Sequence, residues 1–253
     1  MQETFKLKAW PYPFWIAHRG AGKLAPENTL AAFKKGAQHG YRMFECDAKL
    51  SADAVVFLLH DDLLERTTSA QGLAGEQDWA QLAKLDAGLW HSAAFAGEPL
   101  PTLKQVAEFC IEDGHFLNIE IKPTPGLAFE TGEVVARQAA QLWQGQTIKP
   151  LLSSFQTSSL LAALQFAPQL PRGLLLSEHH DQWLQTAASL QCSAVICQYQ
   201  LWTAERVRAA HDAGLRCLSY TVNQPHVAKD LIQMGTDGII TDRVDLFNPA
   251  ATA

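Results

Sequence analysis

Residues 14–47 read FWIAHRGAGKLAPENTLAAFKKGAQHGYRMFECD, and this stretch decides the fold. Two short apolar runs, at 14–17 and 43–44, lie on either side of a segment at 30–39 that is preceded by polar residues. The Asn-Thr pair at 28–29 consists of residue types that cap the N-termini of helices, so the middle segment is predicted to be a helix. The stretch therefore predicts the order strand, helix, strand.

Polar residues collect where each of these two predicted strands ends. His18 and Arg19 follow the first strand, and Glu45 and Asp47 close the second. Residues two apart on a strand share a face, so Glu45 and Asp47 form a carboxylate pair. A base, a cation and two carboxylates at adjacent strand ends indicate chemistry on a phosphate with a metal ion.

Length and charge limit the classes of protein that fit. The chain has 253 residues, of which 47% are hydrophobic, and a formal net charge of -6. An α/β barrel commonly fills this length as one domain, and the composition supports a full core. The negative charge argues against nucleic acid as a partner, because no basic stripe is available to face a phosphate backbone. A small anionic substrate fits, provided that cations are placed locally.

The cysteines and the N-terminus bear on the cellular compartment. The cysteines are odd in number and without zinc spacing, which fits buried thiols in a reducing compartment; they are Cys46, Cys110, Cys192, Cys197 and Cys217. Residues 1–15 contain no apolar signal-peptide core, and no apolar run reaches the ~18–20 residues of a membrane-spanning helix. We therefore expect a cytoplasmic protein without stable membrane association.

A hairpin is predicted to extend the second strand. The apolar run at 55–59 follows a polar turn at 51–54, which is a typical hairpin pattern with the strand at 43–50. The returning strand brings His60 back toward the carboxylate pair. The next residues, 62–101, are irregular, with a short predicted helix at 78–85. Because long structureless loops are uncommon, we predict a small inserted lobe there, after the second strand.

Strands and helices alternate through the rest of the chain. The predicted strands lie at 116–122, 150–155, 172–177, 194–198, 216–222 and 238–241, and the predicted helices at 102–112, 131–144, 157–166, 180–189, 203–213 and 225–234. Counting the hairpin with the second strand, eight strands are separated by helices. This pattern predicts an α/β fold, a (β/α)₈ TIM barrel, as a single domain over 1–253.

A third carboxylate joins the first two. The predicted strand at 116–122 places Glu120 and Lys122 on one face, at the end of the barrel where Glu45 and Asp47 lie. Three carboxylates without a thiolate or an imidazole pair favour Mg²⁺, Ca²⁺ or Mn²⁺ over zinc. For Glu45 and Asp47 alone, salt bridges to Arg19 and Lys122 are an alternative explanation. With Glu120 added, three like charges lie close together and need a bound metal cation.

Two histidines and two cations complete the candidate site. His18 and His60 are candidates for proton transfer, because imidazole titrates near neutral pH. Arg19 and Lys122 are suited to bind a phosphate, Arg with its planar fork and Lys as a point charge. The remaining histidines lie on predicted helices or loops and are interpreted as structural: residues 39, 91, 115, 179, 180, 211 and 226.

These residues lie within ordered motifs that carry a family resemblance. The motifs are HRG at 18–20, PENT at 26–29, Glu45-x-Asp47, HD at 60–61, EIK at 120–122, SSF at 153–155, TVN at 221–223 and TD at 241–242. Together they resemble the glycerophosphodiester phosphodiesterase family, and the chain is similar above all to its short, cytosolic bacterial branch. The resemblance covers nearly the whole chain.

The resemblance implies a (β/α)₈ barrel with a small insertion after the second strand. It also implies hydrolysis of glycerophosphodiesters to sn-glycerol 3-phosphate and an alcohol such as choline, ethanolamine or glycerol, with one divalent cation. Carried over by position, it gives nine residues a role. They are Glu45, Asp47 and Glu120 as metal ligands, His18 and His60 as the acid/base pair, Arg19 and Lys122 as phosphate-binding residues, and Glu27 and Asn28 as supporting residues behind them.

Several alternatives stay open at this level. A phospholipase of the phosphatidylinositol type or a sphingomyelinase D type could use the same barrel, although no exposed apolar membrane-docking segment is apparent in the sequence. A non-catalytic barrel that binds phosphodiesters is a different class, against which the intact histidine pair argues. The sequence does not choose between Mg²⁺ and Ca²⁺, between a monomer and a homodimer, or between attack by the glycerol 2-hydroxyl and attack by water.

Overall fold

The computed structural model describes residues 9–250, in which strands and helices alternate. The strands are β1 (Trp15–Ala17), β2 (Met43–Leu50), β3 (Val56–Leu58), β4 (Phe116–Ile121), β5 (Leu151–Ser154), β6 (Arg172–Leu176), β7 (Ala194–Gln198), β8 (Arg216–Tyr220) and β9 (Gly238–Thr241). The α-helices are α1 (Leu30–Gln38), α2 (Trp79–Leu82), α3 (Leu103–Glu112), α4 (Ala128–Leu142), α5 (Thr157–Phe166), α6 (Trp183–Ser189), α7 (Ala204–Asp212) and α8 (Pro225–Met234). The two ends of the predicted domain, 1–8 and 251–253, lie outside the described residues, as does half of the N-terminal stretch interpreted as lacking a signal peptide.

Eight of the strands close into a parallel barrel. β1 pairs with both β2 and β9, β2 pairs with β4, and the order then follows the chain from β4 to β9. β3 runs antiparallel along the end of β2, with Ala48 opposite Leu58. The predicted TIM barrel and the predicted hairpin are both confirmed.

The barrel is a packed core at one end and an open site at the other. Alternate strand residues point inward, and the lower layers are apolar; they include Ile16, Met43, Leu151, Leu175, Ile196, Leu218 and Ile240. Tyr12 covers the end at which the strands begin, and its hydroxyl donates to the carbonyl of Lys149 (2.9 Å). Inward-facing polar residues therefore have room only at the carboxyl ends of the strands.

The β3–α3 segment, residues 59–102, has an apolar cluster of its own. Its buried members include Leu59, Leu64, Ala74, Leu82, Ala87 and Leu100, which pack around Phe57 of β3. The segment is tied to the barrel by Lys49, a buried residue of β2 whose ammonium group donates to Asp62 (2.6 Å).

Three helices begin or end three residues away from their predicted bounds. The helix predicted at 78–85 is only Trp79–Leu82, because the Asp86 carboxylate accepts from the backbone N–H groups of Gly88, Leu89 and Gly97 and closes a loop instead. Helix α4 begins at Ala128 rather than 131, and α6 begins at Trp183 rather than 180. Within residues 9–250, none of the helices combines the length and the apolar character needed to cross a bilayer.

Candidate active site

The loop after β1 places His18 and Arg19 at the mouth of the barrel. The backbone N–H of His18 donates to the carbonyl of Thr241 (3.0 Å), which fixes the loop against β9. The chain then turns sharply, with φ of +50° at Arg19 and +98° at Gly20. A Cβ at Gly20 would lie 2.8 Å from atoms of Ala32 and Phe33, so glycine lets the loop lie directly on α1.

Three carboxylates meet beside this loop. Glu45 and Asp47 project inward from β2, and Asp47 is in register with Glu120 of β4. One oxygen from each lies within 4.8 Å of the others. Oε1 of Glu45 is buried and has no hydrogen-bond partner among residues 9–250, and the buried Oε1 of Glu120 has an ion-pair contact with Lys122 Nζ (3.3 Å) but no hydrogen bond within the same range. The strand registers thus bring together the three residues that the sequence analysis selected.

The charges of this acidic cluster are only partly balanced. Burial, and then the charges of Asp47 and Glu120, raise the pKa of Glu45 well above its ordinary value. Burial and the charge of Asp47 raise the pKa of Glu120 to about 7, although Lys122 lies 3.3 Å away. Burial also acts to raise the pKa of Asp47, but Arg19 and its other cationic neighbours outweigh it, and the net shift is downward.

The acidic cluster fits a divalent cation. Buried carboxylate oxygens without partners are costly unless a positive charge satisfies them. The donor atoms are all hard oxygens, which are the ligands that Mg²⁺, Ca²⁺ and Mn²⁺ prefer. Glu45, Asp47 and Glu120 could hold such an ion between them.

Two histidines flank the acidic cluster, and each one is paired with an aspartate. His18 Nδ1 lies 2.6 Å from Asp242 Oδ1, and the other oxygen of Asp242 accepts from the amide of Asn223 (3.0 Å). His60 Nδ1 lies 2.6 Å from Asp61 Oδ1. In both pairs the carboxylate holds Nδ1 and leaves Nε2 for other partners.

The environments of the two pairs can be distinguished. His60 Nε2 lies 3.3 Å from Lys122 Nζ, so it presents a lone pair to an ammonium group. Burial is the main cause that lowers the pKa of His60, against the charge of Asp47. His18 Nε2 instead lies 3.8 Å from Glu45 Oε2. For Asp242, burial acts to raise the pKa, but the hydrogen bond and charge of His18, together with Asn223 and Arg19, outweigh it and the pKa falls to about 2.

Arg19, Glu27 and Asn28 form the layer around Asp47. Arg19 Nη1 donates to Glu27 Oε1 (2.7 Å), and its Nε lies 3.2 Å from Asp47 Oδ2. The side-chain amide of Asn28 donates to Asp47 Oδ2 (2.8 Å) and accepts from the Asp47 backbone N–H (3.0 Å). The structure therefore brings all nine predicted site residues to one end of the barrel.

Three adjoining cavities open around these residues. An inner one of about 150 Å³ has a lining that includes both histidines, Arg19, Glu45 and Glu120 together with apolar residues such as Leu175 and Ile240. A larger one of about 550 Å³ continues past His60 and Lys122 toward Leu63 and Phe155. The third, of about 330 Å³, lies between Arg19 and Trp90.

Leu63, Trp90 and Phe155 are exposed at the edges of these cavities, at 50%, 41% and 37%. The sequence did not predict this apolar edge, because the three residues belong to three separate loops. It also gave no role to Asp61, Asp242 or Asn223, although all three stand inside quoted motifs. Each of the three directly follows a candidate histidine or the end of a predicted strand, and this position in the sequence is the signal that could have identified them.

Proteins of known family are similar to this chain in sequence and in structure. Residues 18–246 match the model of the glycerophosphoryl diester phosphodiesterase family. A glycerophosphodiester phosphodiesterase of Caldanaerobacter subterraneus subsp. tengcongensis is 32% identical over 228 residues, which cover 90% of this chain and 93% of the relative. A glycerophosphodiester phosphodiesterase of Bacillus subtilis is 29% identical, with 92% and 84% covered.

Solved structures agree with the sequence relatives. A phosphodiesterase of Oleispira antarctica, in complex with the product sn-glycerol-3-phosphate, superposes with a TM-score of 0.85 at 33% identity, covering 91% of this chain and 93% of that one. A glycerophosphodiester phosphodiesterase of Agrobacterium tumefaciens gives a TM-score of 0.78 at 27% identity, with 95% and 100% covered.

Proposed function

The chain belongs to the glycerophosphoryl diester phosphodiesterase family, and from this membership we propose its substrates and mechanism. The substrates are water-soluble glycerophosphodiesters such as glycerophosphocholine and glycerophosphoethanolamine. The products are sn-glycerol 3-phosphate and the free alcohol. The product named for the Oleispira antarctica relative supports this choice.

One observation carries the mechanism: two aspartate-histidine pairs face each other across a carboxylate cluster whose charge is incompletely balanced. The inner cavity is lined by His18 and His60 together with Glu45 and Glu120. A phosphodiester that enters this cavity meets two groups able to move protons at the same time as a site for a cation. That combination is what hydrolysis of a stable phosphate ester requires.

Glu45, Asp47 and Glu120 would hold one divalent cation, Mg²⁺ or Ca²⁺, with Mn²⁺ also compatible with their oxygens. When bound, the ion supplies positive charge against the negative charge that develops on the phosphoryl oxygens. Arg19 and Lys122 add to this charge from two sides, since Arg19 lies beside Asp47 and Lys122 beside Glu120. The Arg19 fork and the Lys122 ammonium bind and orient the phosphate.

The two histidines divide the proton transfers. Burial lowers the pKa of His60 and favours its neutral ring, whose Nε2 has a lone pair, so His60 accepts the proton of the attacking hydroxyl. His18, held through Nδ1 by Asp242, gives a proton from Nε2 to the departing alkoxide. Asp61 and Asp242 stabilise the imidazolium form in turn, as carboxylates do in other histidine pairs.

The attacking oxygen is the glycerol 2-hydroxyl. Its attack forms a cyclic glycerol phosphate and expels the alcohol, and water then opens the ring with the histidines in reversed roles. An analogue of glycerophosphocholine that lacks the 2-hydroxyl tests this step. We expect it to be turned over at least ~10²-fold more slowly, since the nucleophile is missing; equal turnover would assign the attack to water.

The test of the proposed reaction is release of glycerol 3-phosphate from glycerophosphocholine by the purified protein. The assay is run with EDTA, without EDTA, and with Mg²⁺ or Ca²⁺ added back. We expect release that EDTA abolishes and one of the two ions restores. Release that is insensitive to EDTA would keep the reaction and reject the metal, while no release under any condition would favour a barrel that only binds phosphodiesters.

A further inference from the structure

Arg66 of the β3–α3 segment lies between Asp61, which contacts His60, and Glu27, which contacts Arg19. Its Nε and Nη2 donate to the two oxygens of Asp61, at 2.5 and 3.0 Å. Its Nη1 and Nη2 donate to the two oxygens of Glu27, at 2.8 Å each. One guanidinium group therefore binds two carboxylates, both in the two-bonded geometry that the planar fork of arginine permits.

Each of these carboxylates holds a residue of the site. Asp61 Oδ1, which accepts from Arg66, also lies 2.6 Å from His60 Nδ1. Glu27 Oε1, which accepts from Arg66, also accepts from Arg19 Nη1 at 2.7 Å. A continuous chain of hydrogen bonds thus runs from His60 to Arg19 through Arg66.

The backbone around Arg66 is fixed, although its side chain is 44% exposed. Leu64 is 1% exposed and Thr67 is 3% exposed. The N–H of Leu64 donates to the carbonyl of Gly72 (3.0 Å), and the hydroxyl of Thr68 donates to the carbonyl of Leu64 (2.8 Å). The packed turn presents the guanidinium group in one place, on the outer side of the carboxylates.

Arg66 does not line the three cavities around the described site, whereas Asp61 and Glu27 each line one of them. Arg66 is therefore not placed to touch the substrate. It is placed to act on His60 and Arg19 through Asp61 and Glu27.

We propose that Arg66 is a positioning residue for the reaction; this inference rests on the proposed function. Its guanidinium group fixes Asp61, and through Asp61 the ring of His60. The same group fixes Glu27, and through Glu27 the fork of Arg19. The β3–α3 segment thereby sets the distance between the proton-accepting group and the phosphate-binding group.

The test compares Arg66→Met with Arg137→Met, which removes an exposed arginine that donates to Glu133 on the surface of α4 (2.9 Å). Because a residue behind a functional side chain typically contributes roughly 10- to 100-fold, we expect kcat of Arg66→Met to fall by that factor. KM should rise by a smaller factor than kcat falls, because Arg19 keeps its own contacts with Glu27 and Asp47 and Lys122 is unchanged. Arg66→Lys recovers only part of the loss, since an ammonium group lacks the double fork. Arg137→Met keeps the wild-type kcat.

A second variant asks whether Arg66 acts through Asp61. In Asp61→Asn/Arg66→Met the loss should be smaller than the product of the two single losses, because both changes break one chain of contacts. Multiplicative losses, or a change confined to KM, would overturn the proposal, and so would a wild-type kcat in Arg66→Met.

A readout independent of turnover is the imidazole Nδ1–H resonance of His60 in the NMR spectrum. We expect it to be sharp in the wild type and in Arg137→Met, and broadened by solvent exchange in Arg66→Met. An unchanged resonance in Arg66→Met would contradict the positioning role. If the wild type releases no glycerol 3-phosphate, the proposed function fails, and this resonance still decides whether Arg66 holds the histidine.

Discussion

Within residues 9–250, two groups of potential metal ligands lie at opposite ends of the barrel. The acidic cluster of Glu45, Asp47 and Glu120 lies at the mouth. His211, Cys217 and Asp237, the lower cluster, lie where strands β8 and β9 begin. In each group one potential ligand atom per residue lies within 4.8 Å of the others. By distance alone the two clusters are equivalent.

Their hydrogen bonds differ. At the lower cluster, Asp237 Oδ1 accepts from Arg216 (2.8 Å), and Oδ2 accepts from the Cys217 backbone N–H (2.8 Å) and lies 2.8 Å from His211 Nε2. Burial, and then the charge of Asp237, raise the pKa of the Cys217 thiol, so the thiol keeps its proton. In the lower cluster, the charge of Asp237 is therefore already balanced by the Arg216 guanidinium group and by hydrogen-bond donors of the protein.

The acidic cluster is less completely balanced: Glu45 Oε1 is buried without a hydrogen-bond partner in the described part of the chain, and Glu120 Oε1 has an ion-pair contact with Lys122 (3.3 Å) but no hydrogen bond there. Closeness of ligand atoms alone therefore does not support a proposal of metal binding. Uncompensated charge on atoms able to bind the ion is also needed. The predictions below use the lower cluster as the control for the acidic cluster.

The largest expected difference is between two histidines. His60→Ala should lower kcat for glycerophosphocholine by about 10²- to 10⁴-fold, because it removes the proposed proton-accepting group. His211→Ala should leave kcat within about twofold, since its ring contacts Asp237 (2.8 Å) at the end of the barrel away from the proposed site. Steady-state kinetics of the two variants, with far-UV circular dichroism as a check of folding, makes the measurement. Near-normal turnover by His60→Ala would remove it from the mechanism.

A smaller effect concerns the stability of the metal-free protein. The pKa of Glu120 is raised from 4.5 to about 7 in the folded state, so the folded protein holds this proton more tightly than the unfolded chain. The metal-free protein should therefore lose stability as pH rises from about 4.5 to 7, by about 2–3 kcal/mol from this group.

Glu120→Gln isolates this contribution, because glutamine cannot titrate. In metal-free buffer at pH 8, the variant should be more stable than the wild type by that amount, and the advantage should largely vanish by pH 5. Urea unfolding at the two pH values makes the measurement. An advantage of Glu120→Gln that is the same at both pH values would show that charge is not its cause.

The reverse behaviour is expected at the lower cluster. Asp237→Asn breaks the ion pair with Arg216 and weakens the other contacts, so it should destabilise the protein by about 1–2 kcal/mol at pH 7. Turnover at 25 °C should stay within about twofold of the wild type. Thermal unfolding and kinetics on the same preparation test both halves. If Asp237→Asn stabilised the protein, the charge of Asp237 would be uncompensated in the lower cluster as well.

The smallest effect is expected from Cys217→Ser. The protonated thiol contributes little beyond a weak contact with the carbonyl of Val207 (3.9 Å), so turnover and its recovery after EDTA should both be unchanged. A loss of metal-restored activity in this variant would contradict the distinction between the clusters.

The sequence predicted the parts of this molecule that depend on strand periodicity. The alternation in β2 put Glu45 and Asp47 on one face, and the polar turn before β3 returned His60 to them. The sequence could not predict which carboxylates are neutralised. Asp237 is balanced by Arg216 from another strand, and the distance between such partners is set only when the barrel closes.

Contacts within the β3–α3 segment were also beyond the sequence. Arg66 stands five residues after Asp61 but 39 residues after Glu27, and only the folded turn brings it to both. The helix predicted at 78–85 failed for a similar reason. Local periodicity favoured its continuation, whereas the Asp86 side chain binds backbone N–H groups up to eleven residues away and ends it.

The most direct test of the central claim is the stoichiometry of metal binding. Mn²⁺ is titrated into the metal-free wild type, Glu120→Gln and Cys217→Ser, and free Mn²⁺ is followed by electron paramagnetic resonance. We predict one bound ion per chain for the wild type and for Cys217→Ser, displaced by Ca²⁺ or Mg²⁺, with binding lost or strongly weakened in Glu120→Gln. Undiminished binding by Glu120→Gln, with loss in Cys217→Ser, would contradict the account.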